Sequence, residues 1–304
     1  MGTFIPLGTI RGIKVRLHWS WVIIFVLIVW SLATSQFPSN YKHWGSAEYW
    51  IVAVAAAVLL FVSVLIHELS HSVVAQSQGL PVDTITLYVF GGASNLPREP
   101  ESAGREFWMA FAGPLSSIVL GVLFLGAYLA LPGPQWLGAI FAYLGTINLI
   151  LAVFNLIPAF PLDGGRVLRS IMWAITRDRR KASGTALTVS QWIAWGLILL
   201  GIWTALTVSV VSGIWLALIG WIVQNTASAY RVMEGPSGLQ SLRVADAMTV
   251  SPVSVGPDLR LDKAVQDYLL HQDERALPVV TEDQLRGLLT VSDIQKFPAD
   301  TWQG

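Results

Sequence analysis

Six stretches of this chain are apolar enough to lie in a membrane. A helix that crosses a bilayer needs about 20 mostly apolar residues. The stretches are 17–36, 48–77, 106–131, 135–157, 188–211 and 213–231, and the last two join at Ser212-Gly213. The composition agrees, because 54% of the residues are hydrophobic and 12% are charged, whereas a soluble domain carries about a quarter charged residues. We therefore predict an α-helical polytopic membrane protein with six spans.

The basic residues lie almost entirely on one side of these spans. If the N-terminus is inside, the outer loops hold only Lys42. The inner segments hold Arg11, Lys14, Arg16, Arg98, Arg105, Arg166, Arg169, Arg177, Arg179, Arg180 and Lys181. Since Lys and Arg concentrate in cytoplasmic loops, we expect both termini to be cytoplasmic. The compact architecture favours the plasma membrane of a prokaryote.

Two segments do not read as membrane helices. Within 79–104, "TITLYVF" is rich in β-formers and stops at Gly91-Gly92, which predicts a short membrane-associated β-hairpin. After Met233 the composition becomes that of a soluble protein, with strand, helix and hairpin patterns in turn. We therefore expect a transmembrane domain at 1–232, a linker at 233–241 and a small α/β module at 242–304.

The second span contains "VLIHELSHSVVA", residues 64–75. On a helix, His67 and His71 share one face and can bind one Zn²⁺, while Glu68 beside them can serve as a base. The chain has no cysteine, so thiolate ligands are excluded. A charged side chain near mid-bilayer costs about 3 kcal/mol or more and usually has a function. A metal site is therefore favoured over the alternative, a polar network or proton pathway.

A catalytic zinc site needs a third protein ligand and an open position. Asp163 in "NLIPAFPLDGGR" is a candidate, because Pro158 and Pro161 break the fourth span before it and Gly164-Gly165 allow tight backbone packing. Irregular backbone at membrane depth lines a cavity or is buried in protein. Asp is also a favoured N-cap residue, so a capping role for Asp163 stays open.

The two motifs together resemble the site-2 protease family of intramembrane zinc metalloproteases. The match runs from His67-Glu68-x-x-His71 to Asn155-Leu-Ile-Pro-Ala-Phe-Pro-Leu-Asp163-Gly, and "FGG" at 90–92 and "AGP" at 112–114 are also similar. The resemblance covers roughly residues 10–230. It implies one zinc per chain held by His67, His71 and Asp163, with Glu68 as catalytic base. It also implies that Asn155 holds the substrate or stabilises the oxyanion; an Asn that ends the fourth span as a cap is the alternative.

The implied activity is endopeptidase cleavage of the transmembrane segments of membrane-anchored substrates, which must unwind locally before attack. The "TITLYVFGG" segment could receive the unwound strand by edge pairing, which makes Tyr88, Val89, Gly91 and Gly92 candidate substrate-binding residues. A purely structural hairpin is the alternative.

The C-terminal module resembles a CBS domain, a unit that normally occurs in tandem pairs. Only one unit is visible, so either the chain is truncated or the pair forms between protomers in a homodimer. Thr290 and Asp293 lie where some CBS domains contact a nucleotide ribose, which implies an adenine nucleotide; a domain that only regulates or dimerises is equally open.

Two other functions remain to be weighed against a protease. One is a CBS-gated transporter or channel, and the other is a catalytically silent metal-binding scaffold. The net charge of zero gives no indication of nucleic-acid binding.

Overall fold

The computed structural model describes residues 4–88, 91–94, 100–233, 243–250, 252–270, 276–282, 284–294 and 296. The chain divides into two compact units, Met1–Gly235 and Pro236–Gly304. Most of the predicted linker, residues 234–241, lies outside the described residues. Each unit is considered by itself below.

The first unit contains six helices that are long and apolar enough to cross a membrane. They are α1 (Ser20–Asn40), α2 (Ser46–Ser77), α3 (Ala103–Ala130), α4 (Gln135–Asn155), α6 (Arg179–Thr207) and α7 (Val210–Met233, of which Val210–Tyr230 qualifies). A shorter helix, α5 (Asp163–Thr176), lies between α4 and α6. The predicted count of six spans is therefore confirmed.

The junction between the last two spans differs from the prediction. Helix α6 ends at Thr207 and α7 begins at Val210, so Gly213 lies inside α7 rather than in the turn. A Cβ atom added to Gly201 would lie 2.8 Å from the carbonyl oxygen of Gly213 and 2.5 Å from the backbone nitrogen of Ala217. Gly213 is therefore a close-packing residue between two helices, which sequence alone does not distinguish from a turn glycine.

The predicted hairpin is part of a larger sheet. Strands β3 (Thr84–Tyr88) and β4 (Gly91–Ser94) pair antiparallel, as expected. They join β1 (Phe4–Ile10) and β2 (Ile13–His18) in a four-stranded sheet of order β1-β2-β3-β4, in which β2 and β3 run parallel. The first span was predicted to begin at residue 17, but β2 continues to His18 and α1 begins at Ser20.

Two apolar clusters hold the helices and the sheet together. The first joins α1, α2 and α4 and includes Phe37, Ala53 and Leu144. The second contains Ile13, Leu17 and Ile85 of the sheet, Ala75 near the end of α2, and Met109 of α3, among others. The second cluster places the sheet beside the helix that carries both histidines.

The second unit is a small α/β module. It contains α8 (Val244–Ala247), a helical segment α9 (Leu261–Lys263, continued by Ala264–Leu270), strands β5 (Ala276–Thr281) and β6 (Gln284–Thr290), and α10 (Val291–Ile294). The two strands form the predicted antiparallel hairpin, and Val255 bridges to Val279 in parallel. Val255, Ala264, Leu277 and Ile294 form its core.

Candidate metal centre

The two histidines of the second span bring their Nε2 atoms close together. His67 and His71 stand one turn apart on α2, and their Nε2 atoms are 3.2 Å apart. His67 is buried and His71 is half-buried. The helix therefore presents two imidazole nitrogens to one point, as the spacing predicts.

Asp163 meets this pair from another part of the chain. Its Oδ2 atom lies 3.2 Å from Nε2 of His67 and 3.3 Å from Nε2 of His71. Asp163 is the first residue of α5, whereas the N-cap position belongs to Leu162, whose side chain makes no capping hydrogen bond. The geometry therefore favours the ligand interpretation over the N-cap interpretation.

Two glycines let α5 begin so close to the loop that precedes it. A Cβ atom on Gly165 would lie 2.6 Å from the backbone nitrogen of Phe160, and one on Gly164 would collide with the carbonyl of Leu156. Only glycine avoids both collisions. The Gly164-Gly165 pair thereby allows the tight backbone that the sequence suggested.

The three donor atoms fit zinc. Four-coordinate zinc has nitrogen and oxygen ligands at about 2.0–2.1 Å, which places neighbouring ligands of a tetrahedron about 3.3 Å apart. The observed separations of 3.2, 3.2 and 3.3 Å match one face of such a tetrahedron. Within the described residues, His67, His71 and Asp163 form the His/Cys/Asp/Glu cluster with ligand atoms close enough to share a metal.

Helix α3 supplies hydrogen-bond partners for both imidazoles. Nδ1 of His71 lies 2.7 Å from the backbone carbonyl oxygen of Met109, and Nδ1 of His67 lies 2.9 Å from Oγ of Ser117. A carbonyl only accepts, so Nδ1 of His71 carries the proton and Nε2 keeps its lone pair. Such outer partners orient metal-binding histidines.

Gly113 of α3 makes room at the centre of the site. A Cβ atom at this position would lie 2.6 Å from Nε2 of His67 and would collide with Nε2 of His71. Gly113 therefore allows α3 to pack directly against the two ligand nitrogens.

The two predicted catalytic residues lie on α2 and at the end of α4. Glu68 follows His67 on α2, is half-buried and interacts electrostatically with His71. Asn155 is the last residue of α4 and is half-buried. The end of α4 is closed by backbone hydrogen bonds from Leu156 to the carbonyl of Ala152 and from Ile157 to the carbonyl of Phe154. No hydrogen bond of the Asn155 side chain is seen among the described residues, so nothing there assigns it a capping role.

The predicted substrate-binding residues lie on or next to the sheet. Tyr88 ends β3, is 39% exposed, and its ring lies 5.2 Å from that of His18. Gly91 and Gly92 belong to β4. Val89 lies outside the described residues. Because β3 is paired on both sides, the edge strands of the sheet are β1 and β4, and Tyr88 lies on neither.

A groove lies between α1 and α4 and reaches the sheet. It consists of a cavity of about 360 Å³ and an adjoining cavity of about 690 Å³, which share Ile28, Ile147 and Ile150. The smaller cavity includes Tyr88 and Phe154, and the latter precedes Asn155. The larger one includes the polar residues Gln36 and Asn40 at the far end of α1.

Four residues around the centre were not predicted from sequence. Ser117 and Gly113 had no signal beyond the "AGP" stretch, because a helix pattern does not show which face meets a distant histidine. Glu106 and Arg169 form a buried ion pair between α3 and α5. The sequence places Glu106 only at the start of the third span, and Arg169 only among the basic residues of the inner segments.

Thr290 and Asp293 are joined to each other in the second unit. Oδ2 of Asp293 accepts hydrogen bonds from the backbone nitrogen and hydroxyl of Thr290, and the hydroxyl of Thr290 accepts from the backbone nitrogen of Asp293. This reciprocal arrangement is a capping box for α10. It gives both residues a structural role, whether or not a nucleotide binds.

Comparison with known proteins agrees with these features. The family model of peptidase family M50 matches residues 55–142 and 134–201, and that of the CBS domain matches residues 244–300. The chain is 36% identical to "Putative zinc metalloprotease Rip3" of Mycobacterium tuberculosis, over 96% of this chain and 75% of that protein. It is 35% identical to "Putative zinc metalloprotease sll0528" of Synechocystis, over 99% of this chain and 80% of that one.

Archaeal proteins are also similar. "Zinc metalloprotease MJ0392" of Methanocaldococcus jannaschii is 30% identical over 97% of this chain and 80% of that protein. The solved structure "Site-2 Protease from Methanocaldococcus jannaschii" is 29% identical, with a TM-score of 0.49 over 75% of this chain and 94% of that chain. From the sequence relatives and the family models, the chain belongs to peptidase family M50, the site-2 proteases, as a membrane zinc metalloprotease with a C-terminal CBS domain.

Proposed function

We propose that this protease cuts peptide bonds within the transmembrane segments of other membrane proteins, at a zinc ion held by His67, His71 and Asp163. The observation that carries the proposal is the triangle of three ligand atoms, 3.2–3.3 Å on each side, formed between α2, one of the candidate spans, and the first residue of α5. When bound, zinc supplies Lewis acidity, which polarises a carbonyl group and lowers the pKa of water.

Glu68 is the proposed general base. It lies beside His67 on the same helix, where a carboxylate can accept a proton from the attacking water and later return it to the leaving amine nitrogen. The hydrogen bond from Nδ1 of His71 to the carbonyl of Met109 leaves the Nε2 lone pair of His71 for the metal. With both imidazoles and Asp163 proposed as ligands, Glu68 is the group proposed to move protons.

Asn155 is the proposed substrate-positioning residue. It precedes the loop that leads to Asp163, and its side chain makes no hydrogen bond to a described residue. An amide N–H there can donate to the oxygen of the scissile carbonyl as negative charge develops, a contact worth about 3 kcal/mol in other hydrolases.

The groove between α1 and α4 is the proposed path of the substrate segment. Its apolar inner part suits a membrane helix, and it ends beside Tyr88 and next to Asn155. The free edge of β4, with Gly91 and Gly92, would pair with the segment once it is unwound. Tyr88, and Val89 beyond it, would then contact its side chains.

The second unit, with 233–241 as its linker, is the proposed regulatory module. Tyr230 on α7 lies three residues before the linker, and its ring is 5.1 Å from that of Phe160 in the loop before Asp163. This contact joins α7 to the loop before Asp163. Binding of an adenine nucleotide near Thr290 and Asp293, and homodimer formation through CBS domains, belong to the same proposal.

The basic residues support a topology with both termini in the cytoplasm, in a prokaryotic plasma membrane. Arg11 and Lys14 lie near the sheet end of the first unit. Arg177 lies between α5 and α6, and Arg179 and Lys181 lie in the first turn of α6. The zinc site would then open toward the cytoplasmic side, which shortens the path that water must take.

The test is cleavage in proteoliposomes. The full chain is reconstituted with a reporter whose single transmembrane segment contains a helix-breaking Gly-Pro, and mass spectrometry locates the cut. We expect cleavage inside the segment, loss of cleavage on chelation, recovery with zinc, and no cleavage by Glu68→Gln although it retains zinc. Cleavage by Glu68→Gln, or a wild type that transports solutes without cutting, would contradict the proposal.

A further inference from the structure

We propose that Glu106 and Arg169 are positioning residues that hold Asp163 at the metal centre, an inference that rests on the proposed zinc site. Nε of Arg169 donates to Oε1 of Glu106 at 2.7 Å, and Nη2 donates to the same oxygen. Glu106 is 0% exposed and Arg169 is 5% exposed. The pair therefore lies in the interior, between α3 and α5.

The pair is a second polar attachment point for α5. The first is the metal centre, where Asp163 of α5 meets the histidines that pack on Gly113 of α3. Glu106 precedes Gly113 by roughly 10 Å of helix, and Arg169 follows Asp163 by about 9 Å. Because the spacings are nearly equal, the two contacts together restrict the position and angle of α5.

The residues of α3 that serve the centre all lie on one stripe. Glu106, Met109, Gly113 and Ser117 follow each other at intervals of three or four residues, so they share one helix face. Met109 bonds to His71, Ser117 bonds to His67, and Glu106 bonds to Arg169 on the helix of Asp163. One rigid element thus carries contacts to all three proposed ligands.

Stability alone does not explain the pair. Replacing a buried ion pair with apolar residues is often neutral or stabilising, because both charges lose their hydration. The other carboxylate oxygen of Glu106, Oε2, is buried without a hydrogen-bond partner among the described residues. What the charges do provide is a fixed geometry: a planar guanidinium with two donors on one carboxylate oxygen.

Arg169 also touches the loop that leads to Asp163. Its guanidinium lies over the ring of Phe160, 5.5 Å from the centroid, and the backbone N–H of Phe160 donates to Oγ of Ser190 at 2.9 Å. Arg169 therefore contacts the loop before Asp163 as well as the helix after it. A shift of Arg169 would therefore displace Asp163 through the loop that precedes it and through the helix that follows it.

The test measures zinc affinity of the full chain in nanodiscs by competition with a chromophoric chelator. In Glu106→Gln/Arg169→Gln both partners are neutral, so no charge is left buried without its partner. We expect zinc to bind about 10–100-fold more weakly, the loss typical of removing an outer support of a metal ligand. In an Asp163→Asn background the double substitution should cause no further loss, because its effect passes through Asp163.

Two further measurements separate positioning from stability. The visible spectrum of Co²⁺ in the double variant should shift toward that of Asp163→Asn. The control is Glu101→Gln/Arg105→Gln, which removes an exposed pair at the start of the same helix (Nη1 to Oε2, 2.7 Å) and should leave zinc affinity unchanged. If the double variant does not fold, Arg169→Lys replaces it in the same zinc-affinity measurements. This variant keeps the charge but loses the two-donor contact.

Two results would overturn the inference. One is an unchanged zinc affinity in the pair variants while the wild type binds zinc, which refutes positioning alone. The other is an equal loss in the wild-type and Asp163→Asn backgrounds, which shows a general structural effect. A wild type that binds no zinc would overturn the proposed function and this inference together.

Discussion

His71 donates from Nδ1 to the backbone carbonyl oxygen of Met109, 2.7 Å away. The partner of His67, by contrast, is a side chain, the hydroxyl of Ser117 at 2.9 Å. The two proposed zinc ligands therefore differ in how they respond to substitution. His71 is held by a group that no side-chain replacement removes, whereas His67 depends on one hydroxyl group.

Ser117→Ala should weaken zinc binding about tenfold, because His67 loses the hydroxyl partner that orients its ring. The measurement is the zinc dissociation constant by chelator competition. Ser116→Ala is the matched control, since that hydroxyl bonds to the carbonyl of Gly113 within its own helix and not to a ligand. Equal effects of the two substitutions would show that the hydroxyl of Ser117 does not support the site.

Gly113→Ala should abolish zinc binding and cleavage, because the added methyl group would occupy the space between α3 and the two ligand nitrogens. Gly126→Ala, in the same helix, has no atom within 4 Å of its added Cβ. It should keep zinc and, if anything, gain about 1 kcal/mol of helix stability. Zinc content by atomic absorption distinguishes them, and a zinc-loaded Gly113→Ala would refute the packing described above.

The groove predicts a difference between two neighbouring positions on α4. Ile150 lines both cavities, whereas Val153 is 70% exposed and lines neither. Ile150→Trp should fill the groove and raise the KM for a membrane-embedded reporter severalfold, with zinc content unchanged. Val153→Trp should behave as the wild type. If both variants cleave normally, the substrate segment takes another path.

A further prediction concerns the charge of Asp293 in the CBS domain. Hydrogen bonds from Lys296 and Thr290 lower the pKa of the exposed Asp293 carboxyl to about 2, from an ordinary value of about 3.9. Because the folded pKa is depressed, the contribution of Asp293 to stability is present above about pH 4 and is lost as the pH falls through about 2. The aspartate therefore stays charged at physiological pH.

Carbon-13 NMR titration of labelled carboxyl groups measures this pKa directly. Lys296→Met should raise the pKa of Asp293 toward its ordinary value, whereas Lys263→Met, which removes a charge elsewhere in the same unit, should not. A wild-type value near 4 would contradict the hydrogen bonds seen at the start of α10.

Much of the membrane fold was readable from the sequence, because long apolar runs have few alternatives to membrane helices. The hairpin at 84–94 was also readable from its β-formers and glycines. The strands β1 and β2 were missed, although Ile13, Val15 and Leu17 alternate with polar residues, because the run leads directly into the first span. Gly213 was misplaced since a turn glycine and a packing glycine look alike.

The parts of the site that lie within one short stretch of sequence were predicted. The spacing of His67 and His71 specifies a shared helix face, and the loop around Asp163 marks a broken span. The supports on α3 could not be predicted, because Ser117, Gly113 and Glu106 act across helix contacts that no sequence period encodes. Whether Asp163 caps a helix or faces the histidines also depends on how α5 packs against α2.

The most direct test of the account is zinc X-ray absorption on the full chain loaded with one equivalent of metal. We predict two imidazole nitrogens and at least one carboxylate oxygen at about 2.0–2.2 Å, and loss of the carboxylate contribution in Asp163→Ala. No tight binding at one equivalent, or a spectrum that Asp163→Ala leaves unchanged, would contradict the claim that His67, His71 and Asp163 together hold the catalytic zinc.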